Sequence, residues 1–148
     1  MPRFLMPPVW LALSITAMVA LRMRMPGAEI LGYPWTLIGI VPLLAGILLG
    51  AVSAAAFRRH RTTIIPFRES SALLTAGPFR LSRNPIYLGM IVSLVGVALL
   101  TGAATPYVVV VAFALIIHFG FVRREERMME ARFGDAFRDY AGQVRRWL

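Results

Sequence analysis

The sequence predicts an all-α polytopic membrane protein with four transmembrane helices and a cytoplasmic C-terminal helical segment, and three observations predict it. Of the 148 residues 58% are hydrophobic, at a mean hydropathy of +0.69. A soluble domain of this length buries roughly two thirds of its unfolded surface under a polar exterior, and this chain has too few polar groups to make one. The charge-free runs 4–21, 30–57 and 84–122 each reach the length of about 20 apolar residues that a helix needs to cross the hydrocarbon core. All 16 basic residues are arginine, and they fall almost wholly between those runs.

The net charge of +9 excludes less than it suggests. Nucleic-acid binding needs a basic face or groove, and here the arginines mark the ends of apolar segments instead. Disorder is excluded by the hydrophobicity. The absence of cysteine excludes disulfides, thiolate metal sites and a cysteine nucleophile.

The first span is placed at about 4–21. A cleaved leader over 1–20 is disfavoured, because Arg22 and Arg24 follow the run directly and no small-x-small cleavage site precedes them. The second span, about 32–57, has Gly46, Gly50 and Ala54 at four-residue intervals, a stripe suited to close helix packing within the chain or to a homodimer through Gly46 and Gly50. A cytoplasmic loop follows at 58–84. The run 84–122 is divided by Thr101-Gly-Ala-Ala-Thr-Pro106 into a helical hairpin with spans at about 85–101 and 106–123, and a cytoplasmic tail occupies 124–148. Arginine asymmetry orients the whole: Arg3, six arginines in 58–83 and seven from 123 onward stand against two in the first external loop and none in the hairpin turn. Both termini and the long loop are thus expected at the cytoplasmic face of the inner membrane. The chain reads as one membrane-embedded domain, with Trp10, Tyr33, Trp35 and Tyr107 near span ends.

The chemistry is expected where the two long polar segments meet. Asn84 is a strong N-cap residue and Pro85 suits the first helical position, so the third span begins there. Its free N–H groups beside Arg83 make an anion site. Tyr87 adds a hydroxyl, and Gly89 lets a ligand or a neighbouring helix come close. On the helix that continues the fourth span, Glu126 has Arg123 at i−3 and Glu130 has Arg127 at i−3, as solvated pairs do. Glu125 has only apolar neighbours, Phe121, Val122, Met128 and Met129, with His118 seven residues earlier. A carboxylate on an apolar face at the membrane boundary asks for a cation or donors. Either a ligand supplies them, or Glu125 pairs with Arg80 or Arg83 across the interface and leaves no pocket. His118 and His60 are too far apart in sequence, and too poorly supported by other ligands, to suggest a metal. No P-loop, GxGxxG, GxSxG or HExxH spacing is present. In the tail, Met129, Phe133, Ala136, Phe137, Tyr140 and Val144 form an apolar stripe, with a break expected at Gly134 and Asp135 as the next N-cap. Val144-Arg-Arg-Trp147 reads as an interfacial anchor.

Gly77-Pro-Phe-Arg80, then Ser82-Arg-Asn-Pro-Ile-Tyr-Leu-Gly89, a hairpin, Glu125-Glu126, Phe133-Gly134, Tyr140 and Val144-Arg145 together resemble the isoprenylcysteine carboxyl methyltransferase and phospholipid methyltransferase superfamily of integral membrane enzymes. The match runs from about Thr62 to the C-terminus. Two departures are Asn84, where histidine is common, and Phe137, where tyrosine is frequent. The resemblance implies S-adenosylmethionine as methyl donor, with S-adenosylhomocysteine as product. It implies cofactor contacts at Arg83, Asn84, Pro85, Tyr87, Gly89, Glu125 and Glu126. Arg83 and the helix N-terminus suit the donor's carboxylate, and Glu125 its ammonium. A lipophilic acceptor would enter from the bilayer: an isoprenylcysteine-type carboxylate, a phospholipid amine or a small thiol. Glu126 or His118 can act as base if the acceptor must lose a proton. Two alternatives remain open. One is a non-enzymatic assembly or transport subunit in the membrane, which tolerates change at Glu125 and Tyr87. The other is a membrane reductase that binds NADPH.

Overall fold

The structure is a computed structural model that describes residues 6–59 and 73–148. The opening residues of the first span, with Arg3, and the middle of the 58–84 loop, with His60, Arg61 and Arg68, lie outside the described residues. Among those described, the regular structure is helical, with one isolated antiparallel bridge between Glu29 and Ala103. The helices are α1 (Pro7–Arg24), α2 (Ile40–Arg59), α3 (Pro85–Thr101), α4 (Pro106–Ile117), α5 (Arg123–Phe133) and α6 (Asp135–Gln143). A 3-10 turn over Trp35–Gly39 runs straight into α2, and a π turn over His118–Val122 joins α4 to α5 without a break. Two continuous helices, Trp35–Arg59 and Pro106–Phe133, are long and apolar enough to cross a membrane, and α3 is a shorter apolar helix.

The outer surface is inverted relative to a soluble protein. Leu13 and Val19 on α1, Val41, Leu44 and Leu48 on α2, and Val108, Val111 and Leu115 on α4 are all exposed. Inside lie Met18, Leu94, Phe113, Ile117 and Val122. An apolar exterior of that kind is stable in hydrocarbon, provided the backbone satisfies its own hydrogen bonds as helices do. Helix α3 stands in the middle, packed on α1, α2 and α4.

Its boundaries follow from its ends. Pro85 at the first position lacks only an N–H that a helix start leaves unbonded. Gly102 terminates it at φ +67°, a left-handed cap that glycine adopts without strain, and returns its N–H to Leu99. The Gly102 carbonyl then accepts N–H bonds from Ile30 (2.8 Å) and Leu31 (3.2 Å). Ala104 donates to Ala28 (3.0 Å), and the Thr105 hydroxyl to Met25 (2.7 Å). The two short loops at this end of the bundle are laced together.

The antiparallel pair α2 and α3 meets through glycines on both helices. A Cβ on Gly89 would stand 2.6 Å from the Gly46 carbonyl oxygen and 2.9 Å from the Gly50 nitrogen; one on Gly96 would stand 2.6 Å from the Gly39 carbonyl oxygen. The small-residue stripe of the second span is therefore used inside the chain, against a matching stripe on α3.

At the opposite end the tail folds back over the helix ends. Gly134, at φ +53°, occupies the N-cap of α6 that was expected of Asp135; Asp135 is the first helical residue and pairs with Arg138. Leu74, Phe79, Phe137 and Tyr140 form a second small core under α6, with Phe57 of α2 edge-on to Phe79 at 5.5 Å. Beyond α6, residues 144–147 run as a strap across the start of α3.

Candidate active site

Three elements converge at the strap. Arg83 N–H donates to the Arg145 carbonyl (3.0 Å), while the Ser82 hydroxyl (3.0 Å) and the Asn84 amide (3.2 Å) both donate to the Arg146 carbonyl. Asn84 stands at the N-cap position, but its side chain makes no cap bond. The Ser82 hydroxyl takes the Asn84 N–H instead (3.1 Å), which frees the Asn84 amide to reach the strap and Glu126 Oε1 (3.4 Å). The expected capping role is thus replaced by a cross-link, because carbonyl and carboxylate acceptors 42 and 62 residues away lie within reach.

Glu126 is the centre of this network, which corrects its expected role as a solvated partner of Arg123. Its carboxylate is 13% exposed and meets Arg83 (3.3 Å) and Arg146, whose Nε and Nη2 lie 2.9 and 2.8 Å from Oε2. The Arg146 contacts have the length of good charge-assisted bonds, about 2.7–2.9 Å, whereas the Arg83 contact is longer. That bond to Glu126 also holds the Arg146 guanidinium more firmly protonated. Glu130 pairs with Arg138 (3.6 Å) and not with Arg127 as the spacing suggested.

Among the described residues Glu125 finds no cation. Its Oε1 accepts the Tyr87 hydroxyl at 2.8 Å. Donor satisfaction comes from α3, and Arg80 is not part of it. His118 opens the π turn and accepts the Trp147 indole N–H (3.4 Å), so the C-terminal tryptophan packs into the helix bundle, where an anchor in the headgroups was expected. Pro85 starts α3, and Gly89 meets the neighbouring helix α2.

Two cavities adjoin here, and Arg83 borders both. One, of about 270 Å³, is largely apolar and lined by Met6, Pro7, Phe57, Phe79, Ile86 and Met90, with Tyr87 and Glu125 in its wall. The other, of about 480 Å³, is lined by Glu126, Glu130, Phe137 and five arginines. Adjacent glutamates thus face different cavities, while His118 lines neither. The Arg83 Nε atom is buried with no hydrogen-bond partner among the described residues, and its guanidinium lies 6.0 Å from the Phe137 ring. Among the described residues no group of three or more His, Cys, Asp or Glu is placed to hold a metal ion.

The sequence reading missed Ser82, Arg146 and Trp147 as members of the site. The signal was present in the Val144-Arg-Arg-Trp147 motif, which pairs basic and aromatic residues as membrane anchors also do. Tyr140 supports the same corner: its hydroxyl donates to the Phe79 carbonyl at 2.6 Å. Burial pushes its pKa up to about 12, with Arg83 pulling the other way and Glu126 adding to the rise, so it stays a donor through neutral pH. Tyr140→Phe leaves that carbonyl unpaired and is expected to lower stability by about 1–3 kcal/mol. Thermal unfolding in detergent measures it, and an unchanged midpoint would show the bond to be idle.

The family described as phospholipid methyltransferase matches residues 35–136. An uncharacterised protein of Haemophilus influenzae is 36% identical over 63 residues, 43% of this chain and the whole of that protein. The nickel-cobalt-cadmium resistance protein NccN of Alcaligenes xylosoxydans xylosoxydans is 32% identical over 67% of this chain, and the cobalt-zinc-cadmium resistance protein CzcN of Cupriavidus metallidurans is 30% identical over 72%. The matched regions span 46% and 50% of those two proteins, about half of each. No solved structure matches the chain.

Proposed function

This chain belongs to the phospholipid methyltransferase family, and on that premise we propose that it is an integral membrane methyltransferase that uses S-adenosylmethionine to methylate a lipophilic acceptor. We read α1, α2, α3 and α4 as its four spans, with the strap end of the bundle at the cytoplasmic face where the arginines gather. The observation that carries the reading is the pair of adjoining cavities at that end, one polar and one apolar, with a glutamate from α5 in each.

The residues of the polar cavity fit the amino-acid end of the donor. Arg83 offers a guanidinium with an unbonded buried Nε to a carboxylate, and Glu126 offers a carboxylate to an ammonium. A zwitterion placed against their long mutual contact replaces one weak ion pair with two. The volume lies within the roughly 300–1,000 Å³ usual for small-molecule sites. When bound, the donor supplies a methyl carbon already activated by its sulfonium. The protein's share is to hold the reacting groups in line and keep water out. Asn84 and the strap hold Glu126 in place from the other side.

Titration of the purified protein with S-adenosylhomocysteine by calorimetry tests this reading. Saturable binding is expected, and a folded sample that shows none overturns it. A second reading draws on the names of the two resistance proteins: a non-catalytic membrane component of a metal-resistance system. It predicts no such binding, and a change in cobalt or nickel tolerance when the protein is removed.

A further inference from the structure

Helix α5 is turned one residue away from the course that α4 sets for it. Val110 and Ile117, seven residues apart, both face the core of the bundle. Two turns of α-helix take about seven residues, so a regular continuation would bring Arg124 to the same face. Arg124 is exposed, and Glu125 stands in its place against Tyr87. The extra residue is taken up in the π turn, where the Arg123 N–H returns to the His118 carbonyl five residues back. One residue amounts to about 100° of rotation. Single π turns of this kind occur often at functional sites.

The sequence of α5 suits either setting. It opens Arg123-Arg-Glu-Glu-Arg-Met-Met129, in which arginine, glutamate and methionine each come as a doublet. If the π turn relaxes into regular helix, every place on α5 passes to the residue one earlier. Glu125 then takes the place of Glu126 beside Arg83 and Arg146, and Met128 that of Met129 against the second small core. Arg124 takes the place of Glu125 beside Tyr87. Both ends have room to turn, because a Cβ on Gly120 or on Gly134 would meet nothing within 4 Å. What the turn gives up is Phe133, whose place against that core passes to Arg132, and this makes the present setting the resident one.

We propose that α5 is a two-position helix, in which a one-residue turn taken up at the π turn decides whether Glu125 or Arg124 faces Tyr87. The turn reverses the charge on that wall of the apolar cavity, while the polar cavity keeps a carboxylate and the strap keeps its ion pair. A charged group arriving beside Tyr87 biases the setting by its differential affinity for the two: a cation favours Glu125, an anion Arg124. The device stands on packing and spacing, so it goes beyond the methyltransferase reading and holds whichever molecule the site takes.

Cross-linking reads the setting directly, because the chain has no cysteine of its own. Tyr87→Cys is combined in turn with Glu125→Cys, Arg124→Cys or Arg123→Cys in the full chain, and the rate at which a short bis-maleimide bridges each pair in detergent is followed. The Glu125 pair is expected to close fastest. The Arg124 pair is expected to close about 10- to 1,000-fold more slowly, as a state populated at about 0.1–10% would. Arg123 is exposed now and takes the exposed place of Arg124 in the other setting, so its pair stays open. Deletion of Gly120 removes the extra residue and lets α4 and α5 run on as one regular helix, with both cores kept and no slack left. In that background the Glu125 pair is expected to close as before and the Arg124 pair to stop closing. Three results each overturn the device: an Arg124 pair that never closes in the full chain, an Arg123 pair that closes as fast, and a Gly120 deletion that fails to fold or loses the Glu125 pair. The methyltransferase reading survives all three, since no ligand enters the measurement.

Discussion

Replacing Glu126 with glutamine is expected to abolish useful affinity for S-adenosylhomocysteine and to loosen the strap in the same step. The carboxylate meets Arg83, Arg146 and the Asn84 amide at once, and it is 13% exposed. Removing one partner of a buried, hydrogen-bonded charge pair typically costs about 2–5 kcal/mol, because the guanidinium groups left behind stay desolvated and unpaired. Applied to binding, the low end of that range is a loss of roughly 30-fold. Two measurements check it: calorimetric titration, and the rate of proteolysis within residues 144–148, which should rise as Arg146 is freed. A variant with wild-type affinity and an equally protected tail would show that the network is ornamental to the site.

The second large effect lies in the helix pair beneath the site. Gly46→Ala is expected to destabilise the protein strongly while Gly50→Ala, one turn away on the same helix, is tolerated. The added atom is the same, and alanine is the better helix former by about 0.8–1.0 kcal/mol at either place. What differs is space. A Cβ on Gly50 meets nothing within 4 Å, whereas Gly46 already lies with its carbonyl 2.6 Å from where a Cβ on Gly89 would be, and a Cβ of its own would run into the backbone of α3. Backbone cannot rotate out of the way as a side chain does, so the helices must part, at about 1–3 kcal/mol or more. Because Tyr87 and Gly89 share a turn of α3, parting the helices also displaces the hydroxyl that holds Glu125. Thermal unfolding of the two variants decides the matter, and equal midpoints would sink the argument.

What was legible in the sequence was local. Asn84-Pro85 and Thr101-Gly102 marked the ends of α3 to the residue, since proline at a helix start and glycine at its stop act through the backbone alone. The stripe at Gly46 and Gly50 was visible for the same reason, although its partner stripe at Gly89 and Gly96 was not read as one. The site was half legible. Arg83, Asn84, Tyr87, Glu125 and Glu126 do converge, but the neighbours on α5 gave the wrong account of Glu126. Spacing along one helix ranks partners three and four residues away, and the real ones lie 20, 42 and 43 residues off on other elements. The tail was misread for a related reason. Trp147 and its arginines have the composition of a membrane anchor, and only the fold shows that the ring turns inward to His118. The π turn left no mark in composition at all.

The strap also sets a timetable. Its carbonyls accept from Ser82, Arg83 and Asn84, partners more than 60 residues earlier in the chain. During synthesis the helices α1 to α4 can pair as they emerge, at about 5–20 residues per second. The polar pocket cannot close until Arg146 has left the ribosome. A nascent chain held short of that residue would have its helices glycine-packed while its polar pocket still stood open.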